Sequence, residues 1–516
     1  MGAWAESVQV CVFDMRRGQQ EGHELDKILF FYPVDCPLSS QLSVVGLSEG
    51  LITFTRIFSP DKPCQLMQAE GHCHVFFNCE PDIWMVMVIE KSKEGEEEVR
   101  FTALEEMLKE AHDLFVMFFG SIRDLLQNHP LGDLARSSLH AFFPDYLAEF
   151  VVGSKLRLPS ISEGLTERGM VEPVNLDRDT LLQAQSLVGL LESWFGGGTV
   201  RHTLVLFHNY LVLSTLSAED TARLYSYASL RLTPAAISLS KRKSQAPSLS
   251  AISATGQYTF RNLLNNGTSA SSQTPASEEE VSSLLQRDSK KVSRPMKPDG
   301  WWKEGDNFLD TDSWGSENKG AIRSEASHPT IWLKRTKEEM RLCVYQLRTV
   351  TLIMLVPTCS SVNGLDGFAL LRGQLLEKGA QEVQKLEERI SKEWKGINAS
   401  HVPGYRYLCC DRINKTVKAS PPSKVATLSK ESLAALNVVR ADVDLVKGRL
   451  EGEKSGHDPD LEICVRTKQN AWLVVRARGG QELYTVQERA GDTLLLASDA
   501  VEKLNKRHFN GHFSSD

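Results

Sequence analysis

The stretch from Val44 to Ile89 constrains this chain most, because a helix, a stop and a strand follow one another there. Val44, Leu47, Leu51, Phe54 and Phe58 recur at three- and four-residue steps, the period of a helix with one apolar stripe. That stripe is expected to face a core. Ser59-Pro60-Asp61-Lys62-Pro63 ends the helix, since the residue before a proline is pushed out of the helical region. Trp84-Met85-Val86-Met87-Val88-Ile89 reads as a strand buried on both faces. The segment reads as built to pack and to present a surface, which points to a binding protein ahead of an enzyme.

The flanking sequence extends this to a mixed α/β order. Val8, Val10 and Val12 alternate as in a half-buried strand, and residues 28–32 form a second one. After the helix, residues 65–67, 75–77 and 83–89 read as three more strands. One long helix is expected over 103–126 and another over 134–150, broken or kinked at Pro144. One helix thus crosses between the halves of a five-stranded sheet, and later helices cover a face.

The strand-strand-helix order then recurs. A helix over 181–194 ends at Gly196-Gly197-Gly198, and strands over 204–207 and 210–214 flank a His208-Asn209 turn. Ser217 and Asp220 open the next helix, in the manner of a capping box. Residues 238–327, rich in Ser, Gly, Asn and Lys, are expected to be a disordered linker inserted in the second domain. Strands resume over 331–333, 342–346 and 350–356, followed by a helix over 370–394. A third block has a strand over 405–411, a helix over 429–450 and strands over 461–467, 471–478 and 481–487. Gly479-Gly480 forms its hairpin turn, and a short helix near 499–508 follows. The expected domains are 5–153, then 176–237 with 328–412, then 413–516, with 405–450 open to allocation between the last two.

A length of 516 residues fits about three domains at ~100–200 residues each. The net charge of -7 gives no reason to expect nucleic acid as a partner. No apolar run approaches the ~20 residues that span a bilayer. Residues 1–7 lack the order of a signal peptide, and Glu6 stands where myristoylation needs Ser or Thr. The chain is therefore expected in the cytoplasm, with membrane contact peripheral and its 10 cysteines reduced.

Few motifs carry chemistry. Gly46-Leu47-Ser48-Glu49-Gly50 matches a nucleophile elbow, which needs a sharp strand-to-helix turn. Ser48 lies instead within the helical period, so Gly46, Gly50 and Thr53 are better read as a small-residue face for close approach of another backbone. His72-Cys73-His74, with Cys64 and Cys79, lacks the second ligand pair of structural zinc, so no metal is expected. Cys409-Cys410 should point to opposite sides of a strand. No phosphate-binding glycine loop is present, and no cofactor is expected. Lys241, Arg242, Lys243, Lys290, Lys291 and Arg294 lie in the linker and are candidates for contact with anionic lipid at ~1 kcal/mol each.

Four ordered segments carry a family resemblance: Lys27-Ile28-Leu29-Phe30-Phe31-Tyr32-Pro33, Val45-Gly46-Leu47-Ser48-Glu49, Phe54-Thr55-Arg56-Ile57-Phe58-Ser59-Pro60-Asp61-Lys62-Pro63 and Trp84-Met85-Val86-Met87-Val88. They are similar to the vacuolar-fusion Ccz proteins. The resemblance implies three longin-type α/β domains, each a mixed or antiparallel sheet flanked by helices. It implies a heterodimer with a Mon-type longin subunit that acts as guanine-nucleotide exchange factor for the late-endosomal and vacuolar Rab GTPase. It also implies peripheral recruitment to late-endosomal, prevacuolar and vacuolar membranes, and roles in membrane fusion and autophagy. No covalent catalysis follows from it. The first domain would be the dimerisation and Rab platform, with Thr53, Arg56, Phe58, Ser59, Pro60, Lys62 and Trp84 near it. Core packing is the competing reading for Phe54, Phe58 and Trp84. The competing functions are a longin-type adaptor or tether that binds a GTPase without exchange, and a serine hydrolase using Ser48.

Overall fold

The computed structural model describes residues 3–5, 8–60, 64–90, 99–152, 155–160, 163–194, 199–233, 307–309, 328–358, 365–450, 460–488 and 491–509. Gly196-Gly197-Gly198 and nearly all of the expected linker lie outside them. Met1–Pro234 and Phe308–Asp516 form one compact unit.

After β1 (Ala3–Ala5), the chain forms β2 (Val8–Asp14), β3 (Ile28–Tyr32), α1 (Leu38–Phe58), β4 (Leu66–Gln68), β5 (His72–Glu80) and β6 (Ile83–Glu90). The last five strands make an antiparallel sheet in the order β3-β2-β6-β5-β4. Register sets Val10 opposite Met87 and Val12 opposite Met85. These side chains meet the helices on one face, while Cys11, Phe13, Trp84 and Val86 meet α1 on the other. Burial on both faces explains the uninterrupted apolar run in β6.

The expected helix over 103–126 is two helices, α2 (Phe101–Phe119) and α3 (Ile122–Asn128). Gly120 at φ +81° ends the first, and the Ser121 hydroxyl caps the second by accepting from Asp124 N–H at 3.1 Å. The unbroken apolar stripe concealed this turn. Glu80 secures it, accepting from Ile122 N–H at 2.8 Å and Arg123 N–H at 2.7 Å. α4 (Asp133–Ala148) runs through Pro144, and β7 (Val151–Val152) and β8 (Lys155–Leu158) join β1 in a small sheet.

The next elements are α5 (Arg178–Trp194), β9 (His202–Phe207), β10 (Tyr210–Ser214), α6 (Ala218–Arg231), β11 (Phe308–Leu309), β12 (Thr330–Trp332), β13 (Glu339–Leu347) and β14 (Val350–Pro357). α7 (Leu365–Gln374) continues through a π-helical turn at Leu375–Gly379 into α8 (Ala380–Glu393). The sheet order is β10-β9-β14-β13-β11, with β12 also on β13. β11 corrects the expectation that all of 238–327 is a disordered linker. Phe308 pairs with Tyr345 and is buried against its ring, an apolar contact that composition averages hid.

The last block holds β15 (Arg406–Asp411), β16 (Thr416–Ala419), α9 (Lys430–Leu450), β17 (Leu461–Arg466), β18 (Trp472–Arg478), β19 (Gln481–Gln487) and α10 (Leu494–His508). Its order is β16-β15-β19-β18-β17. β15 falls before the expected boundary after residue 412, yet it hydrogen bonds to β19 and β16 and so belongs to the third sheet. Gly479 at φ +55° and Gly480 at +76° make the expected hairpin turn.

The first and third sheets share one topology: a hairpin, a crossing helix, then three more strands, with the fifth strand pairing the first; the second repeats it with four described strands after α6, the last of which, β14, pairs β9. This is a three-sheet α/β fold of longin type. The sheets are joined tightly. Phe118 of α2 meets Tyr227 of α6 with ring centroids 4.8 Å apart, and Arg231 pairs with Asp145 at 2.7 Å. The connection near residue 172 pairs with two sheet edges at once. Val171 N–H donates to Lys415 C=O at 2.8 Å, and Leu211 N–H donates to Glu172 C=O at 2.8 Å. A few residues earlier, Glu167 is enclosed by Arg412 and Arg440, and Arg100 donates to the Glu163 and Thr166 carbonyls, both at 3.1 Å.

Candidate functional site

The expected direction of the α1 stripe is overturned. The helix buries Val45, Ser48 and Ile52 against the sheet, where the bulky Phe31, Phe76 and Trp84 leave room for small or β-branched side chains. Leu47, Phe54 and Phe58 turn outward, at 50%, 59% and 73% exposure, with Ile57 at 71%. The helix is apolar on most of its circumference, so period alone did not select the buried side. Phe54 and Phe58 meet edge-to-face at 5.0 Å, which holds them as one ridge.

Gly46, Gly50 and Thr53 share this outer face. A Cβ added to either glycine would meet nothing within 4 Å, so neither is small for packing inside the chain. The face is a shallow floor beside an aromatic ridge. At the sheet edge, β4 packs Met67 toward α1, while its neighbour Leu66 is exposed on the opposite face. Lys27 pairs with Glu49 at 2.6 Å and ties the middle of the helix to the segment before β3.

The other proposed positions divide. Trp84 is fully buried under the helix, so its place on a docking surface is corrected: it is core. Arg56 lies 5.5 Å from the Trp84 ring centroid and is half-buried, linking core to rim. Ser59 closes the helix through its N–H on Thr55 C=O at 2.9 Å, and Pro60 is exposed. Lys62 lies outside the described residues, as do Lys241, Arg242, Lys243, Lys290, Lys291 and Arg294. Ile57 and Leu47 join the surface unforeseen.

Ser48 is fully buried and donates its hydroxyl to Val44 C=O at 2.8 Å, an intrahelical bond and not a nucleophile's setting. Among the described residues no three His, Cys, Asp or Glu side chains gather as a metal site. His74 and Cys73 sit on opposite faces of β5, and burial, with His72 adding to it, holds the His74 imidazole below its usual range. Cys409 and Cys410 divide between two core clusters. No described helix is long and apolar enough to cross a membrane.

Comparison with known proteins agrees with this architecture. Residues 8–120 match the family model of the first longin domain of INTU, CCZ1 and HPS4. A vacuolar fusion protein CCZ1 homolog from Oryza sativa is 45% identical over 514 residues, covering 100% of this chain and 99% of the relative. The chain belongs to the CCZ1 family. A second relative, CCZ1 homolog B of Arabidopsis thaliana, is 46% identical over 524 residues, with 100% of this chain and 99% of its own length covered. The CCZ1 homolog of Xenopus tropicalis is 23% identical across 98% of this chain and 96% of its own. The matched first longin domain holds α1 with its outer face. Likeness to the CCZ1 family extends through the second and third sheets as well.

Proposed function

We propose that this chain is one subunit of a heterodimeric guanine-nucleotide exchange factor for a late-endosomal and vacuolar Rab GTPase. In this reading it promotes vacuolar fusion and traffic, as the names of its relatives suggest for them. A Mon-type longin subunit covers the outer face of α1. The observation that carries the reading is that face: two open glycines beside exposed Phe54, Ile57 and Phe58. Burying each of these large side chains contributes about 1–2 kcal/mol, since most of their surface is still in water.

Exchange needs no covalent step, in keeping with the buried, backbone-bonded Ser48. The pair has to bind nucleotide-free Rab better than the loaded form; linkage then loosens the nucleotide. Arg56 and Pro60, at the end of α1, would stand at the edge of the covered area and reach the Rab. The chain is not an enzyme in the sense of covalent catalysis, and its membrane contact is peripheral.

The test is co-expression with a Mon-type subunit and release of fluorescent GDP from the Rab. Acceleration by the pair, abolished when Phe58 is replaced by Asp, supports the reading. A stable pair without acceleration favours an adaptor or tether, and failure to pair removes the assignment of α1.

A further inference from the structure

An open groove of about 620 Å³ lies between the second and third sheets. Its volume is in the ~300–1,000 Å³ range of ligand sites. The connection 172–177 and the segment after α8 line it, with Tyr407, Lys418, His508 and Phe509 from the third block. Its aromatic surface is held in place. Trp394 sits 5.5 Å from Phe207 and 4.6 Å from His208, and Tyr407 sits 5.3 Å from Phe509 while donating its hydroxyl to Ser400 C=O at 2.8 Å.

The charges in the groove are unequally engaged. Glu393 accepts from Asp177 N–H at 3.1 Å and from the Thr180 hydroxyl, and Asp177 accepts from Thr180 N–H at 2.7 Å. Those carboxylates are committed to holding the start of α5. Burial pushes the Glu172 carboxyl up. Lys392, Lys395 and Lys418 line the same groove and make no ion pair among the described residues. The groove therefore offers free cations over an aromatic surface.

The main chain adds a further opening. Val417 N–H on the outer edge of β16 donates to Val171 C=O at 2.9 Å. Pro173, the next residue of the connection on that side, has no N–H to continue the ladder. Pairing stops at the groove, leaving the edge beyond it to another extended chain.

We propose that this groove docks an acidic peptide segment of a partner protein. Its carboxylates would meet Lys392, Lys395 and Lys418, and its apolar side chains would lie on Trp394 and the exposed Ile397. A membrane surface fits less well, because the aromatic contacts lie within a concavity and a bilayer is flat.

The experiment uses the full chain and a fluorescein-labelled peptide, Glu-Glu-Asp-Leu-Phe-Glu-Asp, followed by anisotropy. A control peptide carries Gln and Asn in place of the acids. Saturable binding that weakens with salt, and falls roughly tenfold in the doubly substituted Lys392→Glu, Lys418→Glu chain, supports the proposal. Both lysines are exposed, so unchanged circular dichroism will show that the fold is kept. Equal binding of the neutral peptide, an unaltered affinity in the variant, or no saturation by about 1 mM overturns it. Flotation with phosphatidylserine vesicles that the same variant abolishes, without peptide binding, assigns the lysines to a membrane and also overturns it.

Discussion

Replacing Glu167 by Gln should expose a reserve charge. The Glu167 side chain is fully buried, 2.8 Å from Arg412 and in contact with Arg440, and these groups come from distant parts of the sequence. Burial would raise its pKa, but Arg440, Arg412 and Arg100 together hold it below the usual carboxylate range. At an effective dielectric near 20, one pair at this separation is worth about 6 kcal/mol of Coulomb attraction, much of it offset by desolvation. Breaking a buried pair commonly costs about 3–5 kcal/mol, because the remaining charge is stranded. Glu106 changes that sum. Burial and the neighbouring Glu167 carboxylate push its pKa up to about 8, so at neutral pH it is mostly protonated, although Arg100 lies 3.4 Å away. Removing the Glu167 charge removes a main cause of that elevation, and Glu106 then ionises to face Arg100 and Arg440. Glu167→Gln should therefore cost only about 2–3 kcal/mol, and Glu106→Gln alone less than about 1 kcal/mol, since Gln resembles the protonated carboxyl. The double variant should exceed the sum by about 1–2 kcal/mol. Urea unfolding of all four chains at pH 7, followed by tryptophan fluorescence, gives the cycle. Strict additivity, or Glu106→Gln as damaging as Glu167→Gln, would refute the reserve.

Glu106 binds a proton in the folded chain between its ordinary value of 4.5 and about 8, so its contribution is complete below the former and lost as pH rises through the latter. Glu106→Gln should flatten the decline in urea midpoints across that window. Glu482 works in the opposite direction: burial would raise it, but Arg412 and Lys447 lower it to about 2, so its contribution fades as pH falls from 4.5 toward that value. Glu482→Gln should reduce the acid-side slope in the same titration. Gly46→Ala with Gly50→Ala should stabilise the isolated chain by about 0.5–1 kcal/mol per site, yet weaken the pairing proposed with a Mon-type subunit, as read by thermal melts and co-purification. Phe308→Ala should cost about 3 kcal/mol, because it empties the contact with Tyr345, and a melt that does not move would deny β11 its structural role.

Much of the architecture was legible because local signals agreed. The Val8–Val12 alternation, the two-residue turns at His208-Asn209 and Gly479-Gly480, and the uniform β6 each specify an element without distant help. The outer face of α1 was hidden for the opposite reason. Apolar residues on several sides give more than one possible buried stripe, and only the rings of Phe31, Phe76 and Trp84 decide among them. Gly46 and Gly50 were recognisable as a small face, whereas the assignment of Trp84 to the surface failed because a buried tryptophan and a docking tryptophan look alike in sequence. β16 and β11 were missed as strands. Each is short, and the partners that make them strands lie elsewhere in the chain.

The connection through Val171 and Glu172 has a consequence for how this chain ages and is cleared. It occupies the outer edges of β10 and β16 together, through hydrogen bonds at 2.8 Å on each side. A proteolytic cut there would do more than sever a tether. It would bare two strand edges at once, each able to template pairing with another molecule. A nicked chain should turn from a well-behaved subunit into a seed for insoluble assemblies, so the short run that joins the blocks is also the lock that keeps copies of the protein from joining each other.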